Sequence, residues 1–325
     1  MTEESCHRSD SEQQASCYLR IVPMQSGPVT HAWKIDDRAA VRLGIMNPEG
    51  GAGTYFQAAP GETIWDALRR MTPWFEPDGR CPFNKTRLKP GEYYRRIARP
   101  IDQHPDEAPG WNPGAHLEAD TIAITRGQLT ALTRQLDRIC QTVHPTQATF
   151  AAFGHDIRNL LILACTEVES HWRGVLTANG MTRDRFSTND YVKLCPAMHL
   201  DEYAVSFPNY PWLAPVRPFA GWGSTGKPSQ ELGWYDAYNA VKHNREAKFG
   251  RGTLEHAFAA VTACAVMMVA QYGIPAGLGQ QSELRAFFNV SAVPSWPLSE
   301  VYVYPYGERQ GDWAPVPYPF EAGGT

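Results

Sequence analysis

The chain has 325 residues and a mass of 36.3 kDa, more than one ordinary domain needs and enough to bury at least one substantial core. With 43% hydrophobic, 20% charged and 11% aromatic residues, it is neither a disordered tail nor a low-complexity fibre. A net charge of −4 and a pI near 6.2 argue against a globally basic wrapper of nucleic acid.

Residues 1–28 open with four acids in the first twelve positions and no apolar stretch of signal-peptide length, so they read as a flexible, solvated lead-in. Over 29–124 the pattern is mixed β and irregular. Val29–Ile35, Val41–Met46 and Thr121–Thr125 are short β-like runs separated by Gly/Pro clusters, and Glu62–Met71 has the spacing of a short amphipathic helix.

The 26 prolines are distributed unevenly. Twelve precede residue 120 and six follow residue 293, whereas 126–195 and 231–274 hold only Pro145. Helix-breaking residues are therefore scarce in two windows, and those windows show helical periodicity. Thr125 and Gln128 form a capping-box pattern ahead of Leu129, Leu132, Leu136, Ile139 and Val143. A longer helix is expected over about 149–179, with Phe153, Ile157, Leu160, Leu161, Ala164, Val168, Trp172, Val175 and Leu176 inward and Asn179-Gly180 as its stop. A short helix near Ser187 and a Pro-rich connector over 196–230 lead to helices at about 231–248 and 253–272. These stripes must bury one another, which predicts a helical bundle over 125–272. Ala257–Ala270 is too short to span a membrane and reads as a buried helix. The tail, 273–325, is rich in proline and aromatics. It is expected to be extended, returning to the N-terminal region as an edge strand around Val301–Tyr304, tied by Trp296, Trp313 and Tyr318.

Seven cysteines at wide spacing, odd in number and without a Cys-x-x-Cys pair, suit a reducing cytoplasm and signal neither structural zinc nor another metal. Gly221-Trp-Gly-Ser-Thr-Gly226-Lys227-Pro228 nearly spells a phosphate-binding loop. Proline occupies the hydroxyl position and no apolar strand precedes it, so the segment reads as a connector turn.

The most informative window is Trp234–Phe249. On a helical wheel Asp236, Asn239, His243 and Glu246 share one polar line flanked by Lys242 and Arg245, with Trp234 and Val241 opposite. A histidine beside permanent cations suits phosphodiester chemistry, since it can shuttle a proton near neutral pH while the cations stabilise phosphorane charge. The same residues also suit a solvated helix face.

Tyr238-Asn239-Ala-Val-Lys242-His243-Asn-Arg245, with the upstream helix Asp156-Ile-Arg158-Asn-Leu-Leu-Ile-Leu-Ala-Cys-Thr-Glu167-Val-Glu169, resembles the HEPN superfamily over roughly 125–272. The resemblance implies a helical bundle that usually dimerises. Many such proteins are metal-independent endoribonucleases, including toxins and phage-defence effectors, and others only bind RNA or nucleotides. It further implies a site built on an arginine, four to six residues and then a histidine, often with a polar residue after the arginine. Here His243 matches the histidine and Asn239 the polar residue, while Tyr238 stands in the arginine's place. Lys242 or Arg245 would then serve as phosphate clamp. Arg158 and Glu167 are candidates because the family's upstream helix often places such residues beside the pair. Arg251-x4-His256 satisfies the family spacing and forms an alternative pair; Arg138-x5-His144 does so across a helix end. No cofactor is implied. A di-metal bundle would need paired Glu-x-x-His motifs, which Glu167, Glu169 and His171 do not supply.

Residues 69–99 carry nine Lys/Arg against three acids, interleaved with Trp74, Phe75, Phe83, Tyr93 and Tyr94. Cations among stacking rings suit single-stranded RNA, which makes Lys85, Arg87, Lys89, Arg95 and Arg96 candidate RNA contacts. A solvated basic loop beside a core has the same composition. The expected whole is α+β: a HEPN-like bundle associated with RNA or a nucleotide, flanked by a small β-containing region and an extended tail. The alternative is a catalytically inactive dimerisation or partner-binding module.

Overall fold

A computed structural model describes residues 15–25, 28–71, 80–103, 110–243, 245–306 and 312–321. Most of the expected lead-in, and the rings Trp74 and Phe75, lie outside the described residues. Helix outweighs strand, 44% against 15%, and the main sheet lies near the N-terminus, so the class is α+β. The chain divides into two compact units: unit 1 comprises 1–93, 99–107 and 296–314, and unit 2 comprises 94–98, 108–295 and 315–325.

Unit 1 is built on β1 (Ser16–Val22), β2 (Val29–Ile35), β3 (Ala39–Arg42), β4 (Tyr55–Gln57) and β5 (Asn84–Lys85). They form one antiparallel sheet in the order β4-β3-β2-β1-β5. Strand β1 lies within the stretch expected to be a lead-in. Its alternation explains why: Cys17 and Leu19 are buried on one face, while Tyr18 stands opposite Trp33 on the other. Helix α1 (Ile64–Met71) closes that second face with Ile64, Ala67 and Leu68 against Trp33, Ile35, Phe56 and Phe83. Each such side chain contributes about 1.5–3 kcal/mol by leaving water. Thr63 starts α1 by accepting the Asp66 amide at 3.2 Å and donating to its carboxylate at 2.6 Å. The first face is covered by Val301 and Val303 from the tail.

The tail thus returns to the N-terminal unit as expected, but not as an edge of the five-stranded sheet. Tyr302 donates to Pro100 O at 2.9 Å and accepts the Asp102 amide at 2.8 Å, while Gly91 donates to Val303 O at 2.8 Å. Trp313 contacts Tyr93, Tyr302 and Tyr304. Tyr318 instead belongs to unit 2 and packs on Tyr94 at 4.9 Å. Strand β6 spans Glu92–Tyr94.

In unit 2, α2 (Ala119–Thr142) begins six residues before the expected cap at Thr125. Thr121–Thr125 is helical because Ile122 continues the apolar stripe of Leu129, Leu132 and Leu136. Thr125 is an interior residue whose hydroxyl donates to Thr121 O at 2.7 Å. Helix α3 (His155–Ala178) starts later than expected, because Ala152 O and Phe150 O instead accept the Leu254 and Glu255 amides. Ser187 and Asp190 form a capping box on α4 (Thr188–Tyr191), which is followed by α5 (Leu194–Met198). The connector contains a strand, β7 (Ala204–Ser206), and a short helix, α6 (Pro228–Glu231). The two helices α7 (Gly233–His243) and α8 (Arg245–Lys248) replace the single one expected over 231–248.

Helix α9 (Leu254–Tyr272) is capped by Thr253, which accepts the His256 amide. It packs against α2, α3 and α7 and is buried nearly all round. Among the described residues it is the one helix long and apolar enough to cross a membrane, yet 83% of its apolar window is buried inside the fold. It is the axis of the bundle. The tail is not free of helix: α10 (Ile274–Leu278) and α11 (Glu283–Phe287) follow. Pro275 falls in the first turn of α10, where its missing N–H costs nothing, and Ser282 caps α11. Strand β8 (Asn289–Ala292) pairs with β7, and β9 (Ala314–Val316) is the last element.

Cys17, Cys140, Cys165, Cys195 and Cys264 are free and buried. Cys81 is disulfide-bonded, a pairing that the odd count and wide spacing did not announce.

Candidate functional site

One end of the bundle in unit 2 collects most of the predicted site. Helix α7 runs antiparallel to α3, so its last turn lies beside the first turns of α3. Arg158 on α3 donates from Nη2 to Val241 O at 3.4 Å, meeting a carbonyl at the negative end of α7. A Cβ at Gly252 would meet Val241 at 3.5 Å and Arg158 at 3.6 Å, so the three lie close together. Arg158 also reaches Asn159 at 3.3 Å, but its Nε is buried without a hydrogen-bond partner. This guanidinium is weakly used by the protein.

His243 is the terminal residue of α7 and exposed; Asn239, one turn earlier, is half-buried. Lys242 is exposed, and its ammonium donates to the Tyr238 phenol at 2.7 Å and lies 4.8 Å from that ring. The hydrogen bond to Tyr238 raises the Lys242 pKa, so the amine stays charged. Tyr238 itself is 1% exposed, a core residue rather than a surface group. The position the family gives to arginine is thus sealed, and the next cation along the helix stands at its hydroxyl. Arg245 opens α8, immediately after this turn.

Other candidates are directed elsewhere. Glu167 lies nine residues beyond Arg158 on α3, about 14 Å along the axis. It is half-buried, and burial raises its pKa. Glu169 accepts from the Tyr235 phenol at 2.7 Å. His171 is fully buried; Gln271 donates to its Nδ1 at 2.8 Å, and its Nε2 has no hydrogen-bond partner. Burial, with a smaller contribution from Arg96, lowers the His171 pKa to about 3, so the 3.8 Å approach of Glu167 is not an ion pair at neutral pH. Among the described residues, no three His, Cys, Asp or Glu side chains converge as a metal-binding group.

The alternative pair is also divided. Arg251 is spent on Asp236 at 2.6 Å. The His256 Nδ1 faces its own helix cap, 3.0 Å from Thr253 Oγ1 and 2.8 Å from Arg251 O.

The basic stretch 69–99 is split as well. Arg95 and Arg96, in unit 2, both pair with the buried Glu118, which also accepts from Tyr272 at 3.2 Å. Arg87, in unit 1, pairs with Glu300 at 2.9 Å. Lys85 and Lys89 are exposed, in unit 1. The five are divided between the two units.

Several groups at the α3–α7 end were not anticipated. Phe153, expected inward, precedes α3 and is 57% exposed. Its ring meets Phe249 edge-on at 6.0 Å, and His155 packs on Phe249 at 4.9 Å. Lys248 adds another exposed cation, while Asp156 and Glu246 are the exposed acids nearby. The available signal was the pairing of Phe153-Gly154 with Phe249-Gly250, rings placed at helix ends. The near phosphate-loop also acquires a partner: Glu231 accepts the amides of Gly223, Thr225 and Lys227. The Thr225 hydroxyl also donates to it at 2.7 Å, and this bond first, with the amides, holds the carboxyl at about 2, well below the usual range.

Comparison of the chain with protein-family models, curated proteins and solved structures finds no match.

Proposed function

We propose that unit 2 is an RNA-associated bundle of HEPN type, gripping the phosphate backbone at the α3–α7 end. The observation that carries this reading is Arg158, short of internal partners, at the Val241 carbonyl in the last turn of α7, the turn that also carries the exposed Lys242 and His243. Two permanent cations beside a titratable ring suit a phosphodiester. The sealed Tyr238 favours binding over cleavage, because no arginine stands where the family's catalytic pair needs it.

Cleavage is the second reading, favoured by the exposure of His243 next to Lys242. In that reaction His243 takes the proton of a 2′-hydroxyl, whose oxygen bonds to the adjacent phosphorus as the P–O5′ bond breaks; the departing 5′-oxygen takes a proton from water and the His243 imidazolium returns its proton to solvent, leaving a 2′,3′-cyclic phosphate and a 5′-hydroxyl. Binding and cleavage are measured together: fluorescence anisotropy with labelled RNA, and gel analysis of the same RNA in EDTA. Wild-type binding that Arg158→Ala and Lys242→Ala both weaken supports the proposal. Binding unchanged in both variants sinks it. Cleavage abolished by His243→Ala would establish the second reading.

A further inference from the structure

The first turns of α7 and α9, with the proline-rich connector, enclose a pocket of about 380 Å³ within unit 2. Small-molecule sites occupy roughly 300–1,000 Å³. Pro211, Pro215 and Pro218 keep this part of the connector from closing up as helix. Val205 and Val216 pin it by exchanging backbone hydrogen bonds at 3.0 and 2.8 Å. Trp212, Pro215, Pro218, Trp234 and Phe258 give the pocket apolar walls. Trp234 and Phe258 are buried, whereas Trp212 is 53% exposed. Trp212 is nevertheless fixed: its Nε1 donates to Pro145 O at 2.8 Å, and its ring lies 5.0 Å from that of His144. The Trp234 Nε1 donates to Pro218 O at 2.7 Å. Both indoles thus have their only donor committed to the protein and present a ligand with ring surface alone.

The charges of the pocket favour one sign. Glu231 lines it and is kept ionised by the loop that donates to it. Glu255 is exposed in the first turn of α9, and its carboxylate has no hydrogen bond or ion pair among the described residues. Arg217 is the one lining cation, and its Nη1 reaches away to Glu202 O at 3.4 Å. Beyond Arg217, only the Gln147 amide among the lining side chains has a donor to give. A ligand here meets ring faces and carboxylates and finds few hydrogen bonds. A methylated ammonium suits those terms, because it carries charge without N–H groups to satisfy and is attracted to the face of an indole.

We propose that this pocket binds an organic cation with a quaternary ammonium head, seated against Trp212 with Glu255 as its counter-charge. It lies at the first turn of α7, whereas Lys242 and His243 stand in the last, so the site is independent of RNA binding.

The test titrates choline and its neutral isostere 3,3-dimethylbutan-1-ol, in which carbon replaces the charged nitrogen, at neutral pH and matched ionic strength. Saturation-transfer NMR of each ligand reads its affinity for wild type, Glu255→Gln and Trp212→Leu. Wild type should bind choline about 2- to 30-fold more tightly than the alcohol, the affinity equivalent of a cation–π contact. Each variant should lose choline affinity by a similar factor and bind the alcohol as wild type does. Thermal melting checks the fold, and if Trp212→Leu melts early, Glu255→Gln at its exposed position decides alone. Equal wild-type affinity for the two ligands, no binding of choline, or choline binding unchanged in Glu255→Gln would overturn the proposal. Equal losses of both ligands in the variants would do the same, since they would mean that the pocket reads shape and not charge.

Discussion

Acidification should cost unit 2 stability through one ring, His171. Its pKa is about 3 in the fold against 6.5 for the free side chain. The unfolded chain therefore takes up a proton below pH 6.5 that the folded chain refuses. The stabilisation is fully present above pH 6.5 and is lost as pH falls toward about 3. Between those limits the slope is about 1.4 kcal/mol per pH unit, which makes about 2 kcal/mol at pH 5 and about 5 kcal/mol over the whole window. The cause is burial: the ring is fully enclosed, its Nε2 has no hydrogen-bond partner, and Arg96 adds repulsion. Glu167 acts in the opposite sense, since its raised pKa means that holding it ionised costs stability as pH rises. Comparing wild type with His171→Gln at each pH cancels that contribution to first order. The assay is urea unfolding followed by helical circular dichroism, at several values between pH 7.5 and 5. The stability difference between the two proteins should shift by about 1.4 kcal/mol per unit below pH 6.5. A difference that stays constant across the range would refute the reasoning.

Three further outcomes follow from the same side chains. Lys242→Ala should weaken RNA binding and reduce the magnitude of the slope of log affinity against log salt by about 0.7, the share of one phosphate contact on a single strand; an unchanged slope would place Lys242 off the backbone. Tyr238→Arg, which puts an arginine where the HEPN resemblance expects one, should destabilise unit 2 by about 3–5 kcal/mol because the site is 1% exposed and the Lys242 ammonium already stands at its hydroxyl; denaturant titration reads this, and a variant as stable as wild type would show that the site opens. Glu118→Ala should cost about 3 kcal/mol, the low end for a broken buried ion pair, because Arg95 is half-exposed while Arg96 and Tyr272 lose a nearly buried acceptor. A drop in the urea midpoint would show it, and an unchanged midpoint would mean that the two arginines find water.

The sequence announced elements whose pattern is set by their own burial and missed those set by distant partners. β2 was legible because its alternation is local, and α9 because its apolar run is continuous. The first turn of α2 was hidden because Thr121 and Thr125 are residues of strand propensity, overridden by Ile122 joining the stripe. Phe153 fitted the α3 periodicity, yet the bonds of Ala152 and Phe150 to the start of α9 delay α3 and turn that ring outward. At the candidate site, the sequence offers Arg158 only through resemblance; in the structure it stands at the Val241 carbonyl in the last turn of α7. What composition could not reveal was prior commitment. Arg87, Arg95, Arg96 and Arg251 look free in the sequence and are engaged by Glu300, Glu118 and Asp236, which are distant along the chain.

The order in which unit 1 becomes complete is a matter of synthesis. Leu19 and Ala32 emerge from the ribosome early, but the residues that cover their face of the sheet, Val301 and Val303, lie within the last 30 positions of the sequence. At about 5–20 residues per second, that face waits roughly 10–50 s for its cover while the whole of the bundle is translated. During that interval the sheet is an apolar surface on a nascent chain, the kind of surface that chaperones hold. Unit 1 therefore begins before the bundle and finishes after it, and a premature stop directly after the bundle would release a chain whose sheet is bare on one side.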